Sequence, residues 1–329
     1  MTAVVRFLIL LLALTLAPAF AQDKERDEAA ELLSGVVQVR AKILPNARTL
    51  ATLGPQRQGS GVLVREGYVL TIGYLVIEAE SIEVVGADGK AVPATLTGYD
   101  HASGFGLLKL IGPLAGKPLP LGSSAALDER EPAMVATHGG REGVSLVHVV
   151  SRRPFSGSWE YQLDSAIYTY PPVQNWSGAA LIGAKGELLG IGSLIVPDAG
   201  GAGTQSPGNM FVPIDLLKPI FDGLVARGRA PGPLRPWLGL NAEEMRGRLF
   251  VARVSPEGPA ERAGLKSGDI VIGVGEDEVT SLADFYRKVW ARGAAGVEVQ
   301  LRVLQGMQLK DVTVRSIDRI EYFRQKPSY

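Results

Sequence analysis

The chain has 329 residues, enough for two domains with sizeable cores. Its 34 lysines and arginines balance 34 aspartates and glutamates, so no overall basic field draws in nucleic acid or an anionic membrane surface. The absence of cysteine excludes a thiol nucleophile, a thiolate metal site and a disulfide framework, and with three histidines no metal site or other cofactor is expected.

Met1 to Ala21 has the three parts of a secretory signal peptide: Arg6 as positive flank, an apolar run from Phe7 to Leu16, and Ala19-Phe20-Ala21 as a small-x-small cleavage site. The run is shorter than the roughly 20 residues of a membrane-spanning helix. Cleavage near Gln22 is expected, leaving an exported, periplasmic chain with no stable membrane span; retention as an anchor is the competing reading. Forty glycines and twenty-one prolines favour many turns and short strands.

Asp27 to Leu33 reads as a short helix and Gly35 to Arg40 as a strand. Asn46 to Gln58 reads as a polar loop, and Gly59–Val64 and Tyr68–Thr71 as two strands joined through Arg65-Glu66-Gly67. Short apolar runs recur at Ile82–Val85, Ala94–Leu96, Gly106–Leu110, Ala133–Ala136, Ser145–Val150 and Glu187–Ile195, punctuated by turn residues as in a β-barrel or sandwich. Pro197 to Pro207 reads as a surface loop. Asp215 to Ala226 reads as a helix capped by Asp215, with Leu216, Leu217, Ile220, Phe221 and Leu224 on one face. A Pro/Gly linker at 227–236 then separates a first domain at 33–226 from a second at 237–317, with a tail at 318–329.

Three stretches carry chemistry. Gly59-Ser60-Gly61-Val62-Leu63-Val64 with Gly67-Tyr68-Val69-Leu70-Thr71, then Tyr99 to Leu110, then Ser177-Gly178-Ala179-Ala180-Leu181 together resemble the HtrA/Deg family of exported trypsin-like serine proteases. The resemblance implies a mostly β fold, a chymotrypsin-like double β-barrel followed by a PDZ domain. It also aligns the family's machinery with this chain. The histidine of T-N-x-H-V-V falls on Tyr74, the aspartate that orients it falls on Gly104, and Ser177 takes the nucleophile's place. Asp100 matches a non-catalytic aspartate. The oxyanion glycine two residues before the serine becomes Asn175, which tolerates left-handed dihedrals better than most residues.

A serine is a weak nucleophile until a base takes its proton. Tyrosine titrates at about 10 and is a poor acceptor at neutral pH. Loss of a triad histidine lowers turnover by on the order of 10⁶. His101 reads as a loop residue, His138 as a turn residue beside glycines, His148 as a strand-face residue and Lys109 as structural.

Arg235-Pro236-Trp237-Leu238-Gly239-Leu240 resembles the carboxylate-binding loop of a PDZ domain, and Pro259 to Val271 matches that family's P-A-x-x-A-G-L-x-x-G-D-x-I run. The resemblance implies a small β-sandwich with two helices that binds a peptide as an added strand. The edge is Leu240 to Ala242. The opposing wall is Leu282, Phe285 and Val289 on a helix capped by Ser281, with Trp237 capping the pocket or serving only as packing.

The sequence thus points to a pseudoprotease that binds exposed C-termini or unfolded segments, as an adaptor, chaperone-like or regulatory protein in envelope protein quality control. It is expected to act as a homo-oligomer, the family often forming trimers, or in mixed assembly with an active relative. Two alternatives are an active serine endopeptidase using Ser177 with a non-standard base, and a structural subunit that only builds an oligomer.

Overall fold

The computed structural model describes residues 19–323. The expected signal at 1–21 lies outside them except for its last three residues, as do residues 324–329 of the expected tail. The chain forms two compact units: the described residues up to Arg153 with Ser165–Ala230, and Pro154–Asp164 with the chain from Pro231 onward. The second unit therefore recruits a segment that the sequence places inside the contiguous 33–226 domain.

In the first unit a helix, α1 (Ala19–Ser34), leads into β1 (Val36–Ile43). A short helix, α2 (Leu50–Leu53), interrupts the expected polar loop before β2 (Gln56–Arg65), β3 (Tyr68–Ile72), β4 (Ala79–Val85), β5 (Ala91–Tyr99) and β6 (Phe105–Leu110). These six strands close a barrel in the order β1-β2-β3-β6-β5-β4. Alternation is clear in β1, where Val37, Val39, Ala41 and Ile43 turn inward. β3 and β6 are apolar on both faces, and Val69, Leu70, Leu107 and Leu108 are fully buried. Each such side chain contributes about 1.5–3 kcal/mol relative to exposure.

A second six-stranded barrel follows, from β7 (Pro132–Ala136), β8 (Val144–Gly157), β9 (Tyr161–Tyr170), β10 (Ala180–Ile182), β11 (Leu188–Val196) and β12 (Gly208–Pro213), in the order β10-β11-β12-β9-β8-β7. The mostly β, double-barrel expectation holds.

The helix expected from Asp215 starts later. Ile214–Leu216 is a single 3₁₀ turn, and the α-helix, α3, spans Phe221–Arg227. Pro219 has no N–H to close a helical turn onto Asp215, which keeps the helix from running through. Asp215 is not an N-cap. Its carboxylate accepts bonds from Ser124 Oγ at 2.7 Å, Ala125 N at 2.8 Å and Lys218 Nζ at 2.7 Å.

The second unit contains one six-stranded sheet. β13 (Leu240–Met245), β14 (Arg248–Val254), β15 (Ile270–Val274), β17 (Glu298–Gln305) and β18 (Gln308–Arg315) lie in that order, and β16 (Asp277–Glu278) pairs with β15. Three short helices accompany it: α4 (Pro259–Arg262), α5 (Leu282–Trp290) and α6 (Arg319–Phe323). Ser281 caps α5 as expected, its side chain accepting from Asp284 N. Leu238, Leu240, Phe285, Tyr286, Val289 and Leu301 meet in the core.

Burial opposes ionisation of Asp215, but its bonds from Lys218, Ser124 and Ala125 outweigh that and hold it at about 2. The folded pKa lies below the ordinary 3.8, so the stabilisation is complete above that value and is lost as pH falls through about 2. Asp215→Ala is expected to destabilise the chain by about 1–2 kcal/mol at neutral pH, discounted for partial exposure. In urea titrations the gap from wild type should close on acidification.

Candidate active site and peptide groove

The serine loop leaves β9 at Tyr170 and rejoins the barrel at β10. Its backbone is held from two strands. Ser60 N on β2 donates to Ser177 O at 2.8 Å, and Gly178 N donates to Gly192 O on β11 at 2.9 Å. Gly178 has φ +74, and a Cβ there would lie 1.9 Å from Ser60 O. Only glycine fits. Asn175 is exposed in a turn and is not among the non-glycine residues with positive φ, so its left-handed tolerance goes unused.

Tyr74 stands on the 3₁₀ turn Gly73–Leu75 that follows β3. Gly73 N donates to Gly104 O at 2.7 Å, and Arg57 Nη1 donates to Tyr74 O at 2.7 Å. Arg57 is buried and also donates to Ile77 O and Thr49 Oγ1. The turn is therefore braced on both sides. It delivers the Tyr74 hydroxyl to 2.8 Å from Ser177 Oγ and 2.8 Å from Ser193 O.

The phenol has one proton, and the Ser193 carbonyl can only accept. When the proton goes to the carbonyl, Ser177 Oγ is left to donate to the phenol oxygen. Burial pushes the phenol up to about 12, against the hydrogen bonds from Ser177 and Trp176. The serine proton meets an acceptor with almost no tendency to keep it.

Gly104, at the acid position, has φ +81 and donates its N–H to Asp100 O at 2.7 Å. Asp100 is buried and serves its own loop, accepting from Ser103 N and Ser103 Oγ. No histidine bonds Ser177 Oγ among the described residues. His101 packs edge-on against Tyr99, with ring centroids 4.2 Å apart. His148 is exposed on β8, and Lys109 is exposed on β6.

His138 is committed elsewhere. Its Nδ1 lies 3.1 Å from Ser60 Oγ, its backbone N–H donates to the same oxygen at 3.0 Å, and its Nε2 lies 3.2 Å from Gln38 Nε2. With the Gln38 amide donating to Nε2, the neutral ring carries its proton on Nδ1 and donates to Ser60. Burial and then Arg40 lower its pKa, favouring that neutral form. Ser60 is fully buried, so the pair braces the barrel and offers no base.

In the second unit the loop before β13 turns three successive N–H groups onto one spot. Gly239 has φ +82, which aims the loop in this way. What they meet is Glu160, from the turn between β8 and β9. Leu238 N donates to Oε2 at 2.9 Å, and Gly239 N and Leu240 N donate to Oε1 at 2.7 and 2.9 Å.

Along the β13 edge, Ala242 N donates to Ser158 O at 2.9 Å. From α5, the Tyr286 hydroxyl donates to Gly157 O at 2.7 Å and accepts from Glu160 N at 3.0 Å. Burial pushes the Glu160 carboxyl up to about 7, with the three N–H groups and Arg319 pulling it back.

Of the expected groove residues, Leu238, Gly239 and Leu240 form the carboxylate loop. Phe285 and Val289 are fully buried in the core with Leu282 at its margin. Trp237 is also buried. Its ring lies 4.6 Å from Tyr322 and 6.4 Å from Phe323 of α6, so packing against the tail is its observed role. Sequence reasoning missed Glu160 and Tyr286. The only local signal is a lone acid between two aromatics in Gly157-Ser158-Trp159-Glu160-Tyr161.

Two barrels with a serine loop between their strands, joined to a sheet whose loop binds a carboxylate, define a trypsin-like peptidase domain with one PDZ domain. Residues 59–191 match the trypsin-like peptidase domain, and residues 236–315 match the PDZ domain. The chain belongs to the HtrA/Deg family.

It is 31% identical over 285 residues to the "Probable periplasmic serine protease do/HhoA-like" of Haemophilus influenzae, covering 78% of this chain and 57% of that protein. It is 28% identical over 273 residues to the "Periplasmic pH-dependent serine endoprotease DegQ" of Escherichia coli, covering 78% and 58%. The chain thus spans somewhat over half the length of these relatives. The solved "HtrA-type protease AlgW with tripeptide" shares the fold at a TM-score of 0.54 and 22% identity, over 92% of this chain and 98% of that one.

Tyr74→Phe removes a phenol that burial pushes up to about 12, a change that favours the protonated form in the fold. In an alkaline absorbance titration, the folded variant should ionise one tyrosine fewer near pH 12 than wild type and be unchanged near pH 10. A Tyr74 step near 10 would contradict the buried, hydrogen-bonded phenol.

Proposed function

We propose that this chain is an exported HtrA-like pseudoprotease. It binds peptide C-termini or unfolded segments through its PDZ groove, as an adaptor, chaperone-like or regulatory protein in envelope protein quality control. One observation carries the first half of this reading: the group bonded to Ser177 Oγ is a phenol with its pKa pushed up to about 12. At neutral pH about one such phenol in 10⁵ is ionised, whereas about three-quarters of free imidazoles are unprotonated and able to accept a proton. General-base activation of the serine then fails at its first step.

The second half rests on the groove. Three converging N–H groups suit a carboxylate, and the β13 edge can accept an added strand. The periplasmic relatives support an envelope location, and assembly as a trimer or with an active relative belongs to the same proposal. The relatives are named as proteases, which favours a second reading, an active endopeptidase using Ser177 with a non-standard base.

Fluorophosphonate labelling and casein turnover separate the two. The mature chain should show neither above a Ser177→Ala control, whereas labelling abolished by Ser177→Ala would establish the second reading. Peptides with free C-terminal carboxylates should bind, and Gly239→Trp should abolish that binding. Tyr74→His with Gly104→Asp should raise turnover above wild type. The gain should be incomplete, because an aspartate at φ +81 carries about 1–2 kcal/mol of backbone strain.

A further inference from the structure

The peptide groove of the second unit already holds a ligand, supplied by the chain itself. The Glu160 carboxylate takes all three loop N–H groups, Ser158 O takes the N–H of Ala242 on the strand edge, and Tyr286 bonds the hairpin backbone at both Gly157 and Glu160. These are the two kinds of bond a bound peptide makes: a terminal carboxylate in the loop and backbone along the edge. Glu160 also sits at φ +56, a left-handed conformation that a non-glycine residue keeps only when its surroundings hold it there.

The tip is built to stay in shape. Phe155, Trp159 and Tyr161 pack on one another, with Trp159 and Tyr161 stacked at 5.8 Å. A buried glutamate on a hairpin turn has no use in packing a sheet, and unpartnered it would be strongly unfavourable. Its position is accounted for by the N–H groups that receive it.

We propose that the chain is its own groove ligand: the turn from Gly157 to Tyr161 fills the PDZ channel, and Glu160 stands in for a client's terminal carboxylate. A client binds only by displacing this turn. The inference rests on reading the groove as a peptide site and adds its regulation. A tethered competitor acts at an effective concentration of about millimolar, so a groove closed nine-tenths of the time binds clients about ten-fold more weakly than an open one.

The test uses the mature chain and fluorescein-labelled decapeptides ending in valine, leucine, isoleucine or phenylalanine, each as free acid and as amide, read by anisotropy. Glu160→Gln keeps the shape and loses the charge. It is expected to tighten binding of the free acids by about ten-fold or more, with the amides staying weaker than the free acids in every variant. Tyr286→Phe, which loosens the turn from the α5 side without touching the carboxylate loop, should tighten it in the same direction. Thermal unfolding of both variants confirms that they are folded.

Equal free-acid affinity in wild type and both variants would overturn self-occupancy while leaving the peptide-binding reading intact. No free-acid binding by any folded variant would overturn the peptide-binding reading and the inference with it. Backbone exchange gives an independent arm. The amides of Leu238, Gly239 and Leu240 should exchange faster in Glu160→Gln than in wild type, and unchanged exchange would count against the plug.

Discussion

A hydroxyl oxygen attacks a carbonyl only as fast as its proton can leave, and in this fold the proton's destination is set by a single hydrogen bond. Tyr74 reaches Ser177 at hydrogen-bonding distance because the turn after β3 is braced by Arg57 and by Gly104 O. The same bracing that would hold an imidazole in a working triad here holds a phenol. Burial, which elsewhere in active sites brings a group's pKa toward neutrality, moves this one further from it.

Around that bond the scaffold is intact. Ser60, Gly178 and Gly192 fix the serine loop between the two barrels, and Gly178 has no room for a side chain against Ser60 O. His138, the histidine bonded to Ser60 beside the serine loop, is spent holding that buried hydroxyl. The loop from Asp100 to Gly104 keeps its turn through Asp100, Ser103 and a left-handed glycine.

The second unit presents a different economy of charge. Three backbone N–H groups aimed at one point form a strong anion site, and leaving them buried without a partner would be unfavourable. Glu160 satisfies them from within the chain. Its carboxyl is pushed up to about 7 by the burial that this docking entails, so ionisation and docking oppose each other. The carboxylate loop is thus a site whose vacancy and occupancy differ by the movement of one short turn.

The double barrel and the PDZ sheet were legible in the chain itself. They are carried by short-range pattern: alternation in β1, the glycine of the serine loop, the Pro259 to Val271 run, and a serine cap on α5. The late start of α3 was readable in principle from Pro219, but what holds Asp215 is a residue 91 positions earlier, Ser124, with its neighbour Ala125. For Trp237 the sequence leaves a pocket cap and plain packing both open, and the ring packs against Tyr322 of α6. Glu160 was invisible for the same reason. Its partners lie 78 to 80 residues along the chain, and no local spacing says which loop a turn will meet. Sequence determined which groups exist and which backbone each prefers; only the closed tertiary structure decided which donor faces which acceptor, because that choice is made by long-range packing.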